Sequence, residues 1–246
     1  KIQKIAKAHN LIVIEDAAHA LGATYKNKRV GSIHDMTMFS FHPVKHITTG
    51  EGGVITTNSK YLYDKLIQFR NHGITRDPGK LNRKNHFWYY EMQFLGFNYR
   101  MTDIQASLGI SQLRKINYFI DKRKQLVKIY NNELKEVPSI ILPFQYPSSE
   151  SSWHLYIIRL KLDHLSGNRN DIINAIRKEN IGVNVHYIPV YLHPYYQDLG
   201  YKKGLCPNAE QLYKEVITLP LFPLMTKADA YDVIKAIKKV IHHYLN

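Results

Sequence analysis

The chain has 246 residues, of which 44% are hydrophobic and 22% are charged. This composition is typical of a globular protein with a buried core, and it argues against a collagen-like, disordered or small disulfide-rich chain. No apolar run approaches the roughly 18 residues that span a bilayer, so we expect no membrane partner. The single cysteine, Cys206, excludes an intrachain disulfide and fits the reducing cytoplasm, where we expect the protein.

The net charge is +14, from 34 basic and 20 acidic residues. Such a charge favours anionic partners, either phosphorylated small molecules or nucleic acid, although a solvated basic surface explains it equally well. The sequence has no Cys/His spacing of a metal site, no Walker-type or GxGxxG loop and no repeat. It also lacks an RNP-like or helix-turn-helix pattern. We therefore expect no metal and no nucleic-acid partner.

The first part of the chain alternates between helix-like and strand-like segments. An apolar, β-rich run at residues 11–14 ends in Glu15 and Asp16, and it predicts a strand that is buried on both faces of a parallel sheet. The other elements predicted here are a helix at 2–9, strands at 36–41 and 53–57, and a helix at 60–69 capped by Asn58 or Ser59. This alternation predicts an α/β layer with a mostly parallel sheet.

A long irregular segment follows at residues 70–98, and its basic and aromatic residues are typical of a functional loop. Thr102 and Gln105 then have the spacing of a capping box. Apolar residues recur at helical spacing as far as residue 136, which predicts a helix or helix pair. Such a span reaches roughly 50 Å, enough to connect two domains.

The pattern changes again near residue 151. The predicted elements are strands at 153–162 and 182–187 and helices at 169–180, 209–216 and 228–245. These predict a smaller α+β domain. The expected organisation is a large domain at 1–101, a connecting helix and linker at 102–150, and the small domain at 151–246.

Three residues of the large domain are candidates for chemistry. Asp16 follows a predicted buried strand, where ligand groups gather in parallel sheets; as an isolated Asp, it is more often a helix cap. Lys45 lies among apolar residues and glycines, and a lysine in such surroundings can lose its proton and act as a Schiff-base nucleophile. Most lysines are surface charges instead. Ser40 lies five residues before Lys45, and its hydroxyl can donate a hydrogen bond to a phosphate.

Taken together, four sequence blocks resemble one family. They are Val13-Ile14-Glu15-Asp16-Ala17-Ala18-His19-Ala20-Leu21-Gly22, Phe39-Ser40-Phe41-His42-Pro43-Val44-Lys45, Thr48-Thr49-Gly50-Glu51-Gly52-Gly53 and Gly96-Phe97-Asn98-Tyr99-Arg100-Met101-Thr102-Asp103-Ile104-Gln105-Ala106. They are similar to the DegT/DnrJ/StrS sugar aminotransferases, which are pyridoxal-phosphate enzymes of the aspartate-aminotransferase fold. The resemblance implies the C-terminal part of a large domain with a mixed, mostly parallel sheet, and a smaller α+β domain. Because the Asp motif stands so early, we expect that an N-terminal portion of the large domain is missing.

The resemblance also implies roles for five residues. Lys45 would hold pyridoxal phosphate covalently and act as the proton-transfer base. Asp16 would pair with the pyridine nitrogen, and Ser40 would bind the cofactor phosphate. His19 would lie close to the ring, with simple packing as its alternative. Asn98 would reach the phosphate from the neighbouring subunit of a homodimer, with a surface turn as its alternative.

Within the family, residues 88–93 and 185–191 resemble most the transaminase of pseudaminic-acid biosynthesis. This implies amination of a UDP-linked 4-keto-6-deoxy-N-acetylhexosamine, with L-glutamate as the donor; a dTDP- or GDP-linked keto sugar is the alternative. His186, Tyr187 and His193 are candidate sugar or nucleotide contacts, and burial in the small domain explains them equally well. A non-catalytic basic binding module is the remote alternative.

Overall fold

The computed structural model describes residues 1–83 and 86–246. These residues form two compact units. Unit 1 comprises Lys1–Ile116 and Ser148–Ser151, and unit 2 comprises Asn117–Pro147 and Ser152–Asn246. The division into parts at 1–101, 102–150 and 151–246 remains a prediction. Among the described residues, no helix is long and apolar enough to cross a membrane.

Unit 1 contains short strands and three helices, together with one strand from the later chain. The elements up to residue 113 are α1 (Ile2–Ala8), β1 (Ile14–Asp16), β2 (Thr24–Tyr25), β3 (Lys28–Arg29), β4 (Met36–Ser40), β5 (Gly53–Thr56), α2 (Lys60–Phe69), β6 (Ile74–Thr75), β7 (Glu91–Met92) and α3 (Asp103–Leu113). Strand β1 pairs with β4 in parallel, and β4 pairs with β5 antiparallel. The sheet that carries the Asp motif is therefore mixed.

The expectation of a strand at residues 11–14, buried on both faces, was wrong. Strand β1 begins only at Ile14, and the exposed fractions of Leu11 and Ile12 are 62% and 55%. Ile14 is also exposed, whereas its neighbour Glu15 is half-buried. The described residues therefore leave the side chains of Leu11, Ile12 and Ile14 largely uncovered. An apolar run alone does not show whether both faces of its strand are covered.

The predicted helix pair is confirmed. The elements from residue 116 onward are α4 (Ile116–Leu134), β8 (Ile140–Ile141), β9 (Ser149–Glu150), β10 (Tyr156–Leu160), α5 (Arg169–Lys178), α6 (Pro194–Asp198), α7 (Pro207–Glu215), β11 (Val216–Leu219) and α8 (Lys227–Tyr244). Helices α3 and α4 are separated by Arg114 and Lys115. The capping box is present, because the Thr102 side chain accepts a hydrogen bond from the Gln105 backbone N–H.

Unit 2 is built around an antiparallel sheet in the order β11-β10-β8. Strand β10 alternates between fully and partly buried residues, whereas all four residues of β11 are buried. Helices α4, α5 and α8 contribute buried apolar side chains to the same core. Tyr130 and Tyr156 lie within this core, and their hydroxyls donate to Pro220 O at 2.8 Å and Asn131 Oδ1 at 2.7 Å. These bonds satisfy the two buried polar groups.

The predicted strand at residues 182–187 is wrong. Only Asn184 pairs with a strand, through an isolated antiparallel bridge to Thr218 in β11. The next backbone N–H, that of Val185, donates to the Asn184 side chain instead. This local side-chain bond competes with a continued ladder.

Candidate active site

Asp16 and Ser40 lie at the same edge of the mixed sheet. Strands β1 and β4 run in parallel, Asp16 is aligned with Met38, and the next residue, Ala17, donates its N–H to Met38 O at 2.9 Å. Both strands therefore end in a polar side chain at one edge. The carboxyl edge of parallel strands is where α/β proteins collect ligand groups.

The Asp16 carboxylate closes a turn rather than capping a helix. Its Oδ1 accepts the backbone N–H of Ala18 at 3.1 Å, and residues 18 and 19 form a turn with no helix after it. Ala17 is almost completely buried, whereas Asp16 is exposed. The turn therefore holds the carboxylate at the surface of the sheet edge, where a ligand can reach it.

Lys45 lies near this carboxylate, in the loop of residues 41–52 between β4 and β5. Partial burial lowers the pKa of Lys45 below its ordinary value, and the charge of Asp16 opposes this by raising it. The amine and the carboxylate are thus within electrostatic range of each other. A lysine whose pKa is lowered has a larger neutral fraction near pH 7, and only the neutral amine is a nucleophile or a base.

The loop that carries Lys45 is closed by hydrogen bonds at its base. Phe41 donates its N–H to Gly52 O at 2.8 Å, and the Phe41 carbonyl accepts the Thr49 N–H and the Thr48 hydroxyl, both at 3.1 Å. Gly52 has φ +154°, and a Cβ there would lie 2.3 Å from Thr49 Oγ1. A larger residue at this position would therefore disrupt the base of the loop.

Helix α3 contacts the same loop. The Gln105 Nε2 donates to the Glu51 carbonyl at 3.1 Å. Close packing leaves no room for a larger residue at Gly109, where a Cβ would lie 2.9 Å from the Thr49 methyl. The sequence places Gln105 in a capping box and in the fourth family block, and neither indicates a contact with the loop. Its second role has no signal in the helix pattern, because the amide nitrogen bonds to a carbonyl 54 residues away.

Ser40 is the last residue of β4, and His19 follows the end of β1 by three residues. The Ser40 Oγ accepts the His42 N–H at 3.3 Å, so its own hydrogen can still donate to an anion. His19 is exposed in the turn after β1. The structure thus brings Asp16, Ser40 and Lys45 to one sheet edge and its adjoining loop, and it places His19 three residues beyond Asp16.

Asn98 lies on a different segment of unit 1. It forms an isolated antiparallel bridge with Asn71. Its two sequence neighbours bond to the C-terminal end of α2, because the Phe97 N–H donates to Phe69 O and the Tyr99 N–H donates to Arg70 O. Asn98 is exposed. Its role toward a cofactor remains a prediction.

The candidate substrate residues belong to unit 2. The His186 Nδ1 lies 2.7 Å from Thr218 Oγ1, which attaches the half-buried ring to β11. Tyr187 is 59% exposed, and His193 is exposed where α6 begins. The prediction that these three residues contact the substrate is untested.

The residues at the sheet edge of unit 1 fit the chemical groups of pyridoxal phosphate. The cofactor carries an aldehyde, a pyridine nitrogen and a phosphate. The corresponding protein groups are the Lys45 amine with its lowered pKa, the Asp16 carboxylate and the Ser40 hydroxyl. An amine reacts with an aldehyde, a carboxylate retains a pyridinium proton, and a hydroxyl donates to a phosphate.

Comparison with known proteins identifies the family. The sequence model of the DegT/DnrJ/EryC1/StrS aminotransferase family matches residues 1–238. An uncharacterized protein of Methanocaldococcus jannaschii is 47% identical over 242 residues, covering 98% of this chain and 63% of that protein. The UDP-4-amino-4,6-dideoxy-N-acetyl-beta-L-altrosamine transaminase of Campylobacter jejuni is 35% identical, with 97% and 63% covered.

The fold is also shared with solved structures. Helicobacter pylori PseC, an aminotransferase involved in the biosynthesis of pseudoaminic acid, has a TM-score of 0.89 at 32% identity, covering 99% of this chain and 63% of that one. The chain therefore spans a little under two thirds of the length of these relatives. Aminotransferases of this family use pyridoxal phosphate, and solved relatives include forms with the cofactor in its pyridoxal and pyridoxamine states. The fold is that of the PLP-dependent transferases, and the chain belongs to the DegT/DnrJ/EryC1/StrS aminotransferase family.

Proposed function

We propose that the protein transfers an amino group from an amino acid to a keto sugar carried on a nucleotide diphosphate, with pyridoxal phosphate as cofactor. The observation that carries this proposal is the position of Lys45 within electrostatic range of Asp16 at the sheet edge. Burial makes the lysine a better nucleophile, and the neighbouring carboxylate suits a protonated pyridine. Membership of a sugar aminotransferase family supports the same reaction.

Lys45 has two tasks in this proposal. Its Nζ would hold the cofactor through the aldehyde, and once an amino-acid donor has displaced it, the neutral amine would take the proton from the donor's α-carbon. The same Nζ would then deliver that proton to the cofactor carbon. Pyridoxal phosphate supplies an electron sink for the negative charge that develops when this proton leaves.

Asp16 and Ser40 would orient the cofactor. The Asp16 carboxylate accepts a hydrogen bond from Ala18 N–H, which fixes its direction at the sheet edge and leaves its second oxygen for the pyridinium proton. The Ser40 hydroxyl would donate to the phosphate. His19 is proposed to lie beside the ring, because it follows Asp16 by three residues in the same exposed turn.

The proposed acceptor is a UDP-linked 4-keto-6-deoxy-N-acetylhexosamine, with L-glutamate as donor. The name of the Campylobacter jejuni relative supports a UDP-linked acetamido sugar, and the net charge of +14 suits an anionic substrate. The products would serve surface-polysaccharide or flagellin-sugar biosynthesis in the cytoplasm. We also propose that His186, Tyr187 and His193 contact the sugar or the nucleotide. A dTDP- or GDP-linked keto sugar is the alternative acceptor.

A steady-state assay with a matched panel of keto sugars tests the acceptor. We expect the UDP-linked sugar to give a kcat/KM at least about tenfold above those of the dTDP- and GDP-linked sugars, because each lost polar contact in a binding site costs about 1–3 kcal/mol. The panel is run with L-glutamate and with L-aspartate as donor. Faster turnover of a dTDP- or GDP-linked sugar would replace the proposed substrate, and turnover of none would contradict the function itself.

We propose further that the protein is a homodimer in which Asn98 completes the active site of the partner. Asn98 is exposed, and the rings of its sequence neighbours Phe97 and Tyr99 stack on each other with centroids 4.9 Å apart. These rings are themselves 52% and 74% exposed. Large exposed aromatic groups of this kind are enriched at subunit interfaces.

Mixing two inactive variants tests the role of Asn98 in the partner's site. An Asn98→Ala protomer and a Lys45→Ala protomer should form heterodimers with one site that has both native residues and one that has neither. We expect turnover to recover to about half of the parental level per heterodimer. Each variant alone is the control. Verified heterodimers with no recovered turnover would place Asn98 in its own subunit's site, and normal turnover of Asn98→Ala alone would place it outside the site.

A further inference from the structure

Two side chains donate hydrogen bonds to one backbone carbonyl beside the Lys45 loop. The Glu51 carbonyl accepts the Thr49 hydroxyl at 2.7 Å and the Gln105 amide at 3.1 Å. A carbonyl oxygen has two lone pairs, so these two donors use its full capacity. Thr49 belongs to the loop itself, whereas Gln105 belongs to helix α3. The second bond therefore ties the loop to an element outside it.

The other end of the Gln105 amide is fixed by the helix. Its Oε1 accepts the Thr102 N–H at 3.0 Å and the Thr102 hydroxyl at 3.1 Å. The planar amide of Gln105 thus binds the N-terminus of α3 through its oxygen and the Lys45 loop through its nitrogen. Because the capping box holds the oxygen, the nitrogen has little freedom to follow a displaced loop.

The tethered carbonyl is one residue from the base of the loop. Glu51 precedes Gly52, whose carbonyl accepts the Phe41 N–H at 2.8 Å and so joins the two ends of the loop. Between these ends lies Lys45, whose own N–H donates to His42 O at 3.0 Å. Movement of Glu51 would therefore shift the base on which the Lys45 backbone depends.

We propose that Gln105 is a positioning residue, which holds the Lys45 loop against helix α3 and thereby sets the depth and direction of the lysine amine. The inference rests on the proposed function of Lys45. It assigns Gln105 no contact with the substrate or the cofactor. The expected consequence is that loss of the tether exposes Lys45, and with less burial the pKa of its amine rises toward the ordinary lysine value.

The test compares Gln105→Met with Thr102→Val. The first removes both ends of the bridge while keeping side-chain length, and the second removes the Thr102 hydroxyl but leaves the Gln105 amide bound to the Thr102 N–H and to Glu51. Competitive acetylation of the cofactor-free protein across a pH series, with the Lys45 peptide quantified by mass spectrometry, gives the pKa of this amine. We expect Gln105→Met to raise it and Thr102→Val to leave it unchanged.

Turnover supplies a second readout. A lysine displaced by about 1 Å is expected to lower kcat by roughly tenfold to hundredfold, so Gln105→Met should fall in this range while Thr102→Val stays near the parental value. Thr49→Val, which removes the other donor to Glu51 and keeps the methyl group beside Gly109, should raise the pKa of Lys45 in the same direction. It also serves as the test if Gln105→Met does not fold.

The outcomes separate the two proposals. If Gln105→Met and Thr49→Val both give the same Lys45 pKa and the same kcat as Thr102→Val, the positioning role is wrong. If the pKa rises as expected but Lys45→Ala keeps normal turnover, the positioning role stands and the proposed function of Lys45 fails.

Discussion

Replacing Lys45 with alanine is expected to lower kcat for transamination by more than about a thousandfold. The variant has no amine to hold the cofactor and no base to carry the proton, and general-base catalysis alone contributes about 10²–10⁴-fold. The exposed Lys28 in the short strand β3 offers a matched control, because Lys28→Ala removes the same charge from the same unit. Steady-state assays with the preferred keto sugar compare the two variants with the parent.

A chemical readout accompanies the kinetic one. After borohydride reduction of the cofactor-loaded protein, mass spectrometry should find the cofactor attached to the peptide that contains Lys45 in the parent and in Lys28→Ala. The Lys45→Ala variant should carry no attached cofactor. Normal turnover in Lys45→Ala, or attachment of the cofactor to another lysine, would contradict the assignment.

The Asp16→Asn variant separates the electrostatic role of this residue from its role in the turn. Burial lowers the pKa of Lys45 and the Asp16 charge raises it, so removing the charge should lower this pKa further. In the cofactor-free protein, the rising limb of Lys45 acetylation against pH should therefore move to lower pH. Turnover should nevertheless fall, because the amide cannot retain the pyridinium proton. If neither the pH dependence of Lys45 acetylation nor kcat changes, Asp16 serves only to close the turn after β1.

Local sequence signals were sufficient for elements whose ends are set by their own side chains. Helix α2 begins as predicted, because the Ser59 hydroxyl accepts the Leu62 N–H at 3.3 Å and caps it. Helix α3 starts at its predicted capping box for the same reason. Such signals act within four residues along the chain, so they can be read without the tertiary structure.

Signals that depend on distant partners could not be read in this way. The antiparallel pairing of β5 with β4 is absent from the apolar pattern, because parallel and antiparallel strands can have the same composition. Asn184 ends its pairing after one bridge because its own side chain captures the next N–H. Likewise, the bond from Gln105 to Glu51 joins segments far apart in sequence. The family motifs nominated Asp16 and Lys45, and the structure adds the burial and charge that relate them.

Arg123 is the second residue with a large expected effect, on stability rather than on catalysis. It lies in α4 of unit 2 and is only 3% exposed. The two N–H groups of its Nη1 are shared among the carbonyls of Trp153, His154 and Leu221, at 3.2, 3.1 and 2.8 Å. One guanidinium nitrogen thus joins α4 to the segment before β10 and to the chain after β11. Burial lowers the pKa of Arg123 to about 10, so the group is still charged at neutral pH.

Two opposing free energies decide the effect of Arg123→Met. The lowered pKa of Arg123 corresponds to a cost of roughly 3 kcal/mol for burying its charge, at about 1.4 kcal/mol for each pKa unit. The uncharged methionine side chain does not carry this cost. Against this, the three carbonyls lose two N–H groups of a charged donor, and a hydrogen bond to a charged group contributes about 1.5–3 kcal/mol, or roughly 5 kcal/mol for the two. The second term is larger, because the apolar side chain fills much of the space and hinders water from replacing the guanidinium. We therefore expect Arg123→Met to lower the free energy of unfolding by about 2 kcal/mol.

Urea unfolding at neutral pH measures this loss, with the fluorescence of Trp153, whose carbonyl accepts one of the bonds, as the probe of unit 2. Trp88 lies in unit 1, so Trp88→Phe in every variant removes its background signal. The matched control is Lys128→Met on the same helix, an exposed position where loss of one positive charge should change stability by less than about 0.5 kcal/mol. Equal midpoints for the two variants would mean that the relief of the buried charge offsets the hydrogen bonds lost from Nη1. A higher midpoint for Arg123→Met would mean that the buried charge weakens unit 2 more than its bonds stabilise it.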